Sequence, residues 1–182
     1  PAWSGGRLNP AHAKPAGAVE MAFVQAGAAA YNREKFLALG GLRSLFEPGY
    51  WEDYDLSYRA AKSGLVSLYD PEALALHHGG GSMTKRYGGE GVAQMRARNH
   101  LLFEWVNLTS PRLAAEYCFR LGVSVAREWM SGSPPLLTQA LAAAAPHVSR
   151  ALHERAKWPR TVDDEALLRL HENARKEATS DV

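Results

Sequence analysis

Hydrophobic and polar positions along this chain follow two different rhythms, and the change between them divides it. Residues 19–25 (VEMAFVQ) mix β-branched, aromatic and polar side chains and read as a strand. Gly27 and the alanines 28–30 follow, small enough for a backbone or a ligand to come close. Asn32 is placed to cap a short helix over 33–39 that stops at Gly40-Gly41. A loop over 42–51 contains Pro48-Gly49, and a second helix is predicted over 53–62, ending at Gly64. Strands are predicted at 65–69 and 73–77, joined by the turn Asp70-Pro71-Glu72 and followed by a glycine loop at 79–81. The opening stretch, 1–15, is rich in Pro, Gly and Ala and reads as a loop.

From Gly91 the apolar period becomes that of a helix. Val92, Met95, Asn99, Leu102, Phe103 and Val106 fall on one face. Ser110-Pro111 supplies a cap and a proline at the first helical position for a helix running to about Met130. Leu113, Tyr117, Leu121, Val125 and Trp129 line one side of it, and the segment 132–135 breaks it. Two further helices are predicted near 135–145 and 147–157 with Pro146 between them. Thr161 or Asp163 caps a last, charged helix reaching about Ala178. The expected organisation is a mixed α/β part over 1–90 and an all-helical part over 91–182.

Composition narrows the class. Of 182 residues, 46% are hydrophobic and 22% charged, the balance of a globular domain. A net charge of +2 gives no reason to expect a nucleic-acid partner. The single cysteine, Cys118, rules out an internal disulfide and a cysteine-based zinc cluster, and its apolar neighbours predict burial. No apolar run approaches the roughly 18 residues that a spanning helix needs. A start in mid-loop without Met reads as part of a longer protein.

The candidate chemistry lies in Tyr50-Trp51-Glu52-Asp53-Tyr54-Asp55 and in His77-His78-Gly79-Gly80-Gly81-Ser82. A carboxylate at a helix start accepts backbone N–H bonds and feels the positive end of the dipole, which predicts that Asp53 is held ionised and can take a hydroxyl proton. Glu52 is placed to orient an acceptor or to raise the basicity of Asp53 by like-charge repulsion. Tyr50 and Trp51 offer flat faces for a sugar ring. On spacing alone, an ordinary cap is the commoner role for such an aspartate. Asp53-Tyr54-Asp55 spells D-x-D, but helical residues two apart point away from each other, so they do not share a metal. Asp55 and Arg59, four apart, read as a structural ion pair. His77 and His78 end a strand and point to opposite faces. Neutral imidazole suits Mn²⁺-like ions, the glycines let backbone approach a diphosphate, and Lys85 and Arg86 carry charge to neutralise it, with Arg96 and Arg98 further on. Two histidines by themselves do not close a metal site.

Taken together, the run Gly27 to Phe36, then Gly40-Gly41-Leu42, Trp51 to Arg59, Gly64, Tyr69, Pro71-Glu72-Ala73 and His77 to Ser82 resembles the family 2 glycosyltransferases, above all the bacterial rhamnosyltransferase-like members. The likeness covers about residues 19–87, and the helix from Arg98-Asn99 to Asn107 also looks like those proteins. It implies an inverting enzyme of GT-A fold with Asp53 as catalytic base. Glu52, Trp51 and Tyr50 would meet the acceptor, and Gly79, Gly80, Ser82, Lys85 and Arg86 the donor diphosphate. His77, five residues before a serine, would contact a divalent cation, Mg²⁺ or Mn²⁺, or the diphosphate. The family's nucleotide-binding half, with its strand-end D-x-D, is missing, and Asp163-Asp164, opening a polar helix, does not replace it. Leu42 stands where the family carries an aromatic residue followed by Asp. The expected fold is therefore an incomplete GT-A domain, its acceptor-side half, with a helical extension, inactive alone. The resemblance further implies a nucleotide-sugar donor, a saccharide or lipid-linked acceptor, a role in cell-surface polysaccharide or glycolipid synthesis, and a cytoplasmic location at the inner membrane face. The rival expectation is a non-catalytic saccharide-binding or interaction module. Its helical tail, carrying Trp105, Trp129 and Trp158, would dock on a partner or a membrane surface instead of covering the α/β layer. A metallohydrolase lacks further ligands at recognisable spacing.

Overall fold

Two glycines start the fold. Strands β1 (Ala2–Ser4) and β2 (Arg7–Asn9) pair antiparallel in the register Ser4↔Arg7. Gly5 and Gly6 between them sit at φ 60° and 74°. Two left-handed residues are what a tight two-residue hairpin requires, and glycine meets that without a Cβ clash. A Cβ on Gly6 would stand 2.2 Å from Arg120 Cγ. The expected opening loop is therefore a hairpin, held down by a fully buried Leu8. The computed structural model describes residues 2–9, 19–21, 23–74, 76, 81–132, 134–158, 161–169 and 172, side chains of 19–21 and 81 apart.

A second antiparallel pair joins β3 (Val19–Met21) to β4 (Ser67–Tyr69), with Glu20 opposite Leu68. Between them come a 3-10 turn at Ala26–Ala28, helix α1 (Arg33–Ala38), a 3-10 turn at Ser44–Phe46 and helix α2 (Glu52–Lys62). Asn32 caps α1 as expected, accepting from the Lys35 N–H at 3.0 Å. Residues 73, 74 and 76 form no strand, which corrects the expected 73–77, although 75 and 77 lie outside the described residues.

The remainder is helical: α3 (Gly81–Asn107), α4 (Pro111–Ser131), α5 (Leu136–Ala144), α6 (Val148–Ala156) and α7 (164–169). Helix starts ten residues earlier than the hydrophobic pattern indicates, because α3 continues through a break at Gly88 (φ 70°). The expected division at residue 90 lies two residues beyond this break, where two helical segments meet. Ser110 caps α4 and Gly132 ends it in the left-handed conformation, as the sequence predicts. Asp163, and not Thr161, accepts from the first turn of α7, at the Ala166 N–H. The expected extension to Ala178 lies outside the described residues.

The axis is α3, packed on α5, α6 and α2. Its predicted face is buried at Val92, Asn99, Leu102, Phe103 and Val106. One cluster joins Leu102, Phe103 and Val106 to Leu8, Leu45, Phe46, Tyr58, Leu113 and Leu167. Cys118 is exposed, correcting the expected burial: it lies about 100° around α4 from Tyr117, off the packed stripe.

Charge is buried as well as hydrocarbon. Asp55, fully buried, accepts from Arg43 Nη1 (2.5 Å), Arg59 Nε (2.9 Å) and Asn107 Nδ2 (2.9 Å). Arg59 also donates to the carbonyls of Leu39 and Gly41, closing the chain behind α1. Asp164 accepts from Lys62 Nζ (2.6 Å), the Ser110 N–H (2.5 Å) and the Tyr58 hydroxyl (2.9 Å), which ties α7 to α2 and α4. Among the described residues no helix is long and apolar enough to cross a membrane.

Candidate functional site

The site is built on an unusual approach to α2. Leu45 and Phe46 anchor the loop in the core, and the next residues must turn sharply to begin the helix. Tyr50 and Trp51 do so at φ 71° and 76°, the left-handed region that non-glycine residues enter at a cost of about 1–2 kcal/mol each. Backbone strain of this kind persists only where its surroundings over-determine it.

Helix α3 supplies those surroundings. Asn99 Nδ2 donates to the carbonyls of Phe46 (2.8 Å), Gly49 (2.8 Å) and Tyr50 (3.0 Å). Arg98 donates to the carbonyls of Leu45 and Glu47, both at 3.2 Å. The Arg96 guanidinium lies 4.4 Å from the Tyr50 ring centre, and the His100 ring stacks on Trp51 at 4.0 Å. Burial, with the nearby Arg7 charge, pushes His100 down to about 3, so its ring is neutral. Its Nε2 lies 2.6 Å from the Leu8 carbonyl, which can only accept, and therefore carries the proton.

The turn delivers Glu52 and Asp53 at the start of α2. Trp51 is the residue before the helix, so Asp53 lies inside the first turn and is not the cap that the sequence predicts. Its Oδ1 accepts from the Tyr54 N–H at 2.9 Å. Burial raises the Asp53 pKa above the ordinary carboxylate value, and hydrogen bonds from the backbone of Tyr54, Ala26 and Asp53 itself oppose the rise without cancelling it. Desolvation thus outweighs the helix-start effects that were expected to hold the group ionised. Glu52 is raised too, first by burial and then by the Asp53 charge, so the repulsion between them registers on Glu52. Its Oε2 is buried without a hydrogen-bond partner.

A third acid faces the pair. Tyr31, 38% exposed, has its phenol pKa raised by burial and then by the charges of Asp53 and Glu52. Nothing in its spacing marks it, although it directly precedes the cap Asn32. Tyr54 stacks on Phe23 at 3.6 Å, and burial followed by the Asp53 charge lifts its hydroxyl to about 12. Ser57 Oγ accepts from the Val24 N–H at 3.1 Å, holding the 3-10 turn against α2. The arrangement presents a half-buried carboxylate of raised proton affinity on a rigid helix start, beside a second carboxylate and a phenol.

The other expected residues are distributed unevenly. Tyr50 and Trp51 flank the carboxylates, but the exposed Arg96 covers the Tyr50 ring and the half-buried His100 stacks on Trp51. Ser82, Lys85 and Arg86 lie exposed on the first turns of α3, with Arg86 folded over Tyr87. His77, His78, Gly79 and Gly80 lie outside the described residues. Among those described, no group of three or more His, Cys, Asp or Glu is disposed to hold a metal. A small cleft lined by Arg43, Arg59, Lys62, Val106, Asn107, Thr109, Arg155 and Trp158 contains none of the expected residues. Its Arg43, Arg59 and Lys62 bond to Asp55, Asp164 and backbone carbonyls, so the cleft is part of the buried charge network. No family model, curated protein or solved structure matches the chain.

Proposed function

We propose that this chain is the acceptor-side part of an inverting glycosyltransferase in which Asp53 acts as general base. As an acceptor hydroxyl oxygen bonds to the anomeric carbon, the bond from that carbon to the diphosphate breaks. The diphosphate leaves with the electron pair, and the hydroxyl proton passes to the Asp53 carboxylate. What carries the reading is the Asp53 carboxyl itself, lifted above its ordinary value by burial and fixed by backbone N–H groups behind a strained turn. A base of raised proton affinity takes a hydroxyl proton more readily than a solvated aspartate does. Glu52, with a buried oxygen lacking a partner, is the group left to orient the acceptor.

The donor half of the reading rests on the resemblance. Gly79, Gly80, Ser82, Lys85 and Arg86 would meet the diphosphate and His77 a Mg²⁺ or Mn²⁺ ion. No complete ligand set for that ion lies among the described residues, so no step is routed through it. Leu68 on β4 and Leu74 and Leu76 after it in the chain, 71%, 94% and 99% exposed, suit an α/β layer that a nucleotide-binding half would continue. The reading carries with it a cytoplasmic reaction at the inner membrane face, on a saccharide or lipid-linked acceptor. The test is transfer by the intact protein carrying Asp53→Asn, where kcat falls by about 10²–10⁴. A kcat near that of the unsubstituted protein refutes the assignment.

A second reading, an interaction module, is favoured by one observation. Phe119, Trp129 and Met130 on α4 are 68%, 71% and 79% exposed, an apolar surface open to a partner.

A further inference from the structure

Asn99 is fully buried in α3, yet its side chain serves the loop before α2 more than its own helix. Three carbonyl oxygens, of Phe46, Gly49 and Tyr50, converge on the two N–H bonds of its amide, so one hydrogen is shared. Its own Oδ1 is buried with no hydrogen-bond partner, so the residue is held through its donor end alone. The Tyr50 carbonyl lies between the two left-handed residues, and the next carbonyl, of Trp51, accepts the first hydrogen bond of α2 from the Asp55 N–H at 2.9 Å. The link from Asn99 to the carboxylates is therefore short: amide, Tyr50 carbonyl, strained turn, first turn of α2.

We propose that Asn99 is the positioning residue of this site, its amide locking the Tyr50-Trp51 turn and so setting where the Glu52 and Asp53 carboxyls stand. The inference rests on the general-base reading of Asp53 but not on the donor. Only an amide of this length fits. Aspartate, of the same shape, would set a carboxylate oxygen against the carbonyl oxygens, and alanine would leave the three carbonyls, that of Phe46 buried, without that donor. With the lock removed, Tyr50 and Trp51 relax toward the ordinary φ < 0 regions, α2 starts in a different place, and water reaches Asp53.

The test titrates the Asp53 carboxyl carbon by NMR in the unsubstituted protein and in Asn99→Ala. Among the described residues, the titratable groups facing Asp53 are Glu52, Tyr31 and Tyr54, and all three remain in both proteins. The expected result is a midpoint that returns toward the ordinary aspartate value in Asn99→Ala. In the intact enzyme, kcat should fall roughly tenfold to a hundredfold with an unchanged KM for the donor. A folded Asn99→Ala with the original Asp53 midpoint overturns the proposal. Should Asn99→Ala not fold, Asn99→Ser, which keeps one donor, is judged by the same titration. Loss of fold in both variants also overturns the proposal, since Asn99 would then belong to the core alone. If instead Asp53→Asn keeps its kcat while Asn99→Ala shifts the midpoint, the general-base reading fails and the positioning role stands.

Discussion

Asp53 and Asp55 stand two residues apart on the same helix, and removing either charge should have opposite consequences for stability. Asp55 is fully buried and lies between the Arg43 and Arg59 guanidiniums, whose side chains are 6% and 3% exposed. Asp55→Asn leaves two desolvated cations facing a neutral amide. Removing one partner of a buried ion pair costs about 3–5 kcal/mol, because the remaining charge stays in a poor solvent. A domain of this size is stable by about 5–15 kcal/mol and loses about 2–4 °C in Tm per kcal/mol, so the melting point should drop by roughly 6–20 °C. At Asp53 the sign reverses. A folded-state pKa above the unfolded one means that the folded state disfavours the ionised carboxylate at neutral pH. Asp53→Asn removes that charge and keeps an oxygen for the Tyr54 N–H, so its melting point should not fall. The assay is thermal unfolding at pH 7 followed by circular dichroism, both variants beside the unsubstituted protein. If Asp53→Asn melts as low as Asp55→Asn, the Asp53 carboxylate stabilises the helix start and the functional reading loses its physical basis. If Asp55→Asn melts with the unsubstituted protein, the buried network does not hold α2 in place.

Two other carboxyls give pH signatures of opposite sign. Glu104 accepts from Arg7 Nη2 (2.7 Å) and the Leu8 N–H (3.2 Å), but burial outweighs them and lifts it from 4.5 to about 7. Its contribution is complete below about pH 4.5 and lost as pH rises through about 7, so urea unfolding should show about 3 kcal/mol less stability across that range, and Glu104→Gln should flatten the profile. Burial pushes Asp164 up, but the Lys62 ammonium and the Ser110 and Thr109 N–H groups outweigh it and hold the carboxyl below 3.8. Its contribution is therefore present above pH 3.8 and lost as pH falls through the lower folded value. In Asp164→Asn, amides of residues 164–169 should exchange at least roughly tenfold faster, a charge-assisted hydrogen bond being worth about 1.5–3 kcal/mol. Unchanged exchange there would show that α7 is held by Leu167 instead.

Much of the helical frame could be read from neighbours in sequence. The caps at Asn32 and Ser110, the stop at Gly132, the break at Pro146 and the Asp55–Arg59 pair all act within about a turn of the residues they control. The opening hairpin was equally legible, since Gly5-Gly6 is a strong two-residue turn signal, but the surrounding Pro and Ala obscured it. The apolar stripe of α4 overstated burial: Leu113 and Tyr117 are packed, while Trp129 at the far end stands 71% exposed. Periodicity names the face that can be buried, and only a partner element decides how far along the helix it is covered.

The Glu52-Asp53 pair was legible as a candidate, but the environment that gives it chemical character was not. Whether burial or the helix start governs Asp53 depends on Ala26, more than twenty residues away, and on how much water the folded chain excludes. The left-handed Tyr50-Trp51 turn is held by an amide in α3, and the Arg43–Asp55–Asn107 network joins three distant stretches. Short-range rules of capping, period and turn geometry are written into adjacent residues, and the sequence alone determines them. Desolvation and long-range hydrogen bonding depend on which surfaces meet, so only tertiary packing decided that Asp55 is fully buried between two arginines and that burial raises the Asp53 carboxyl.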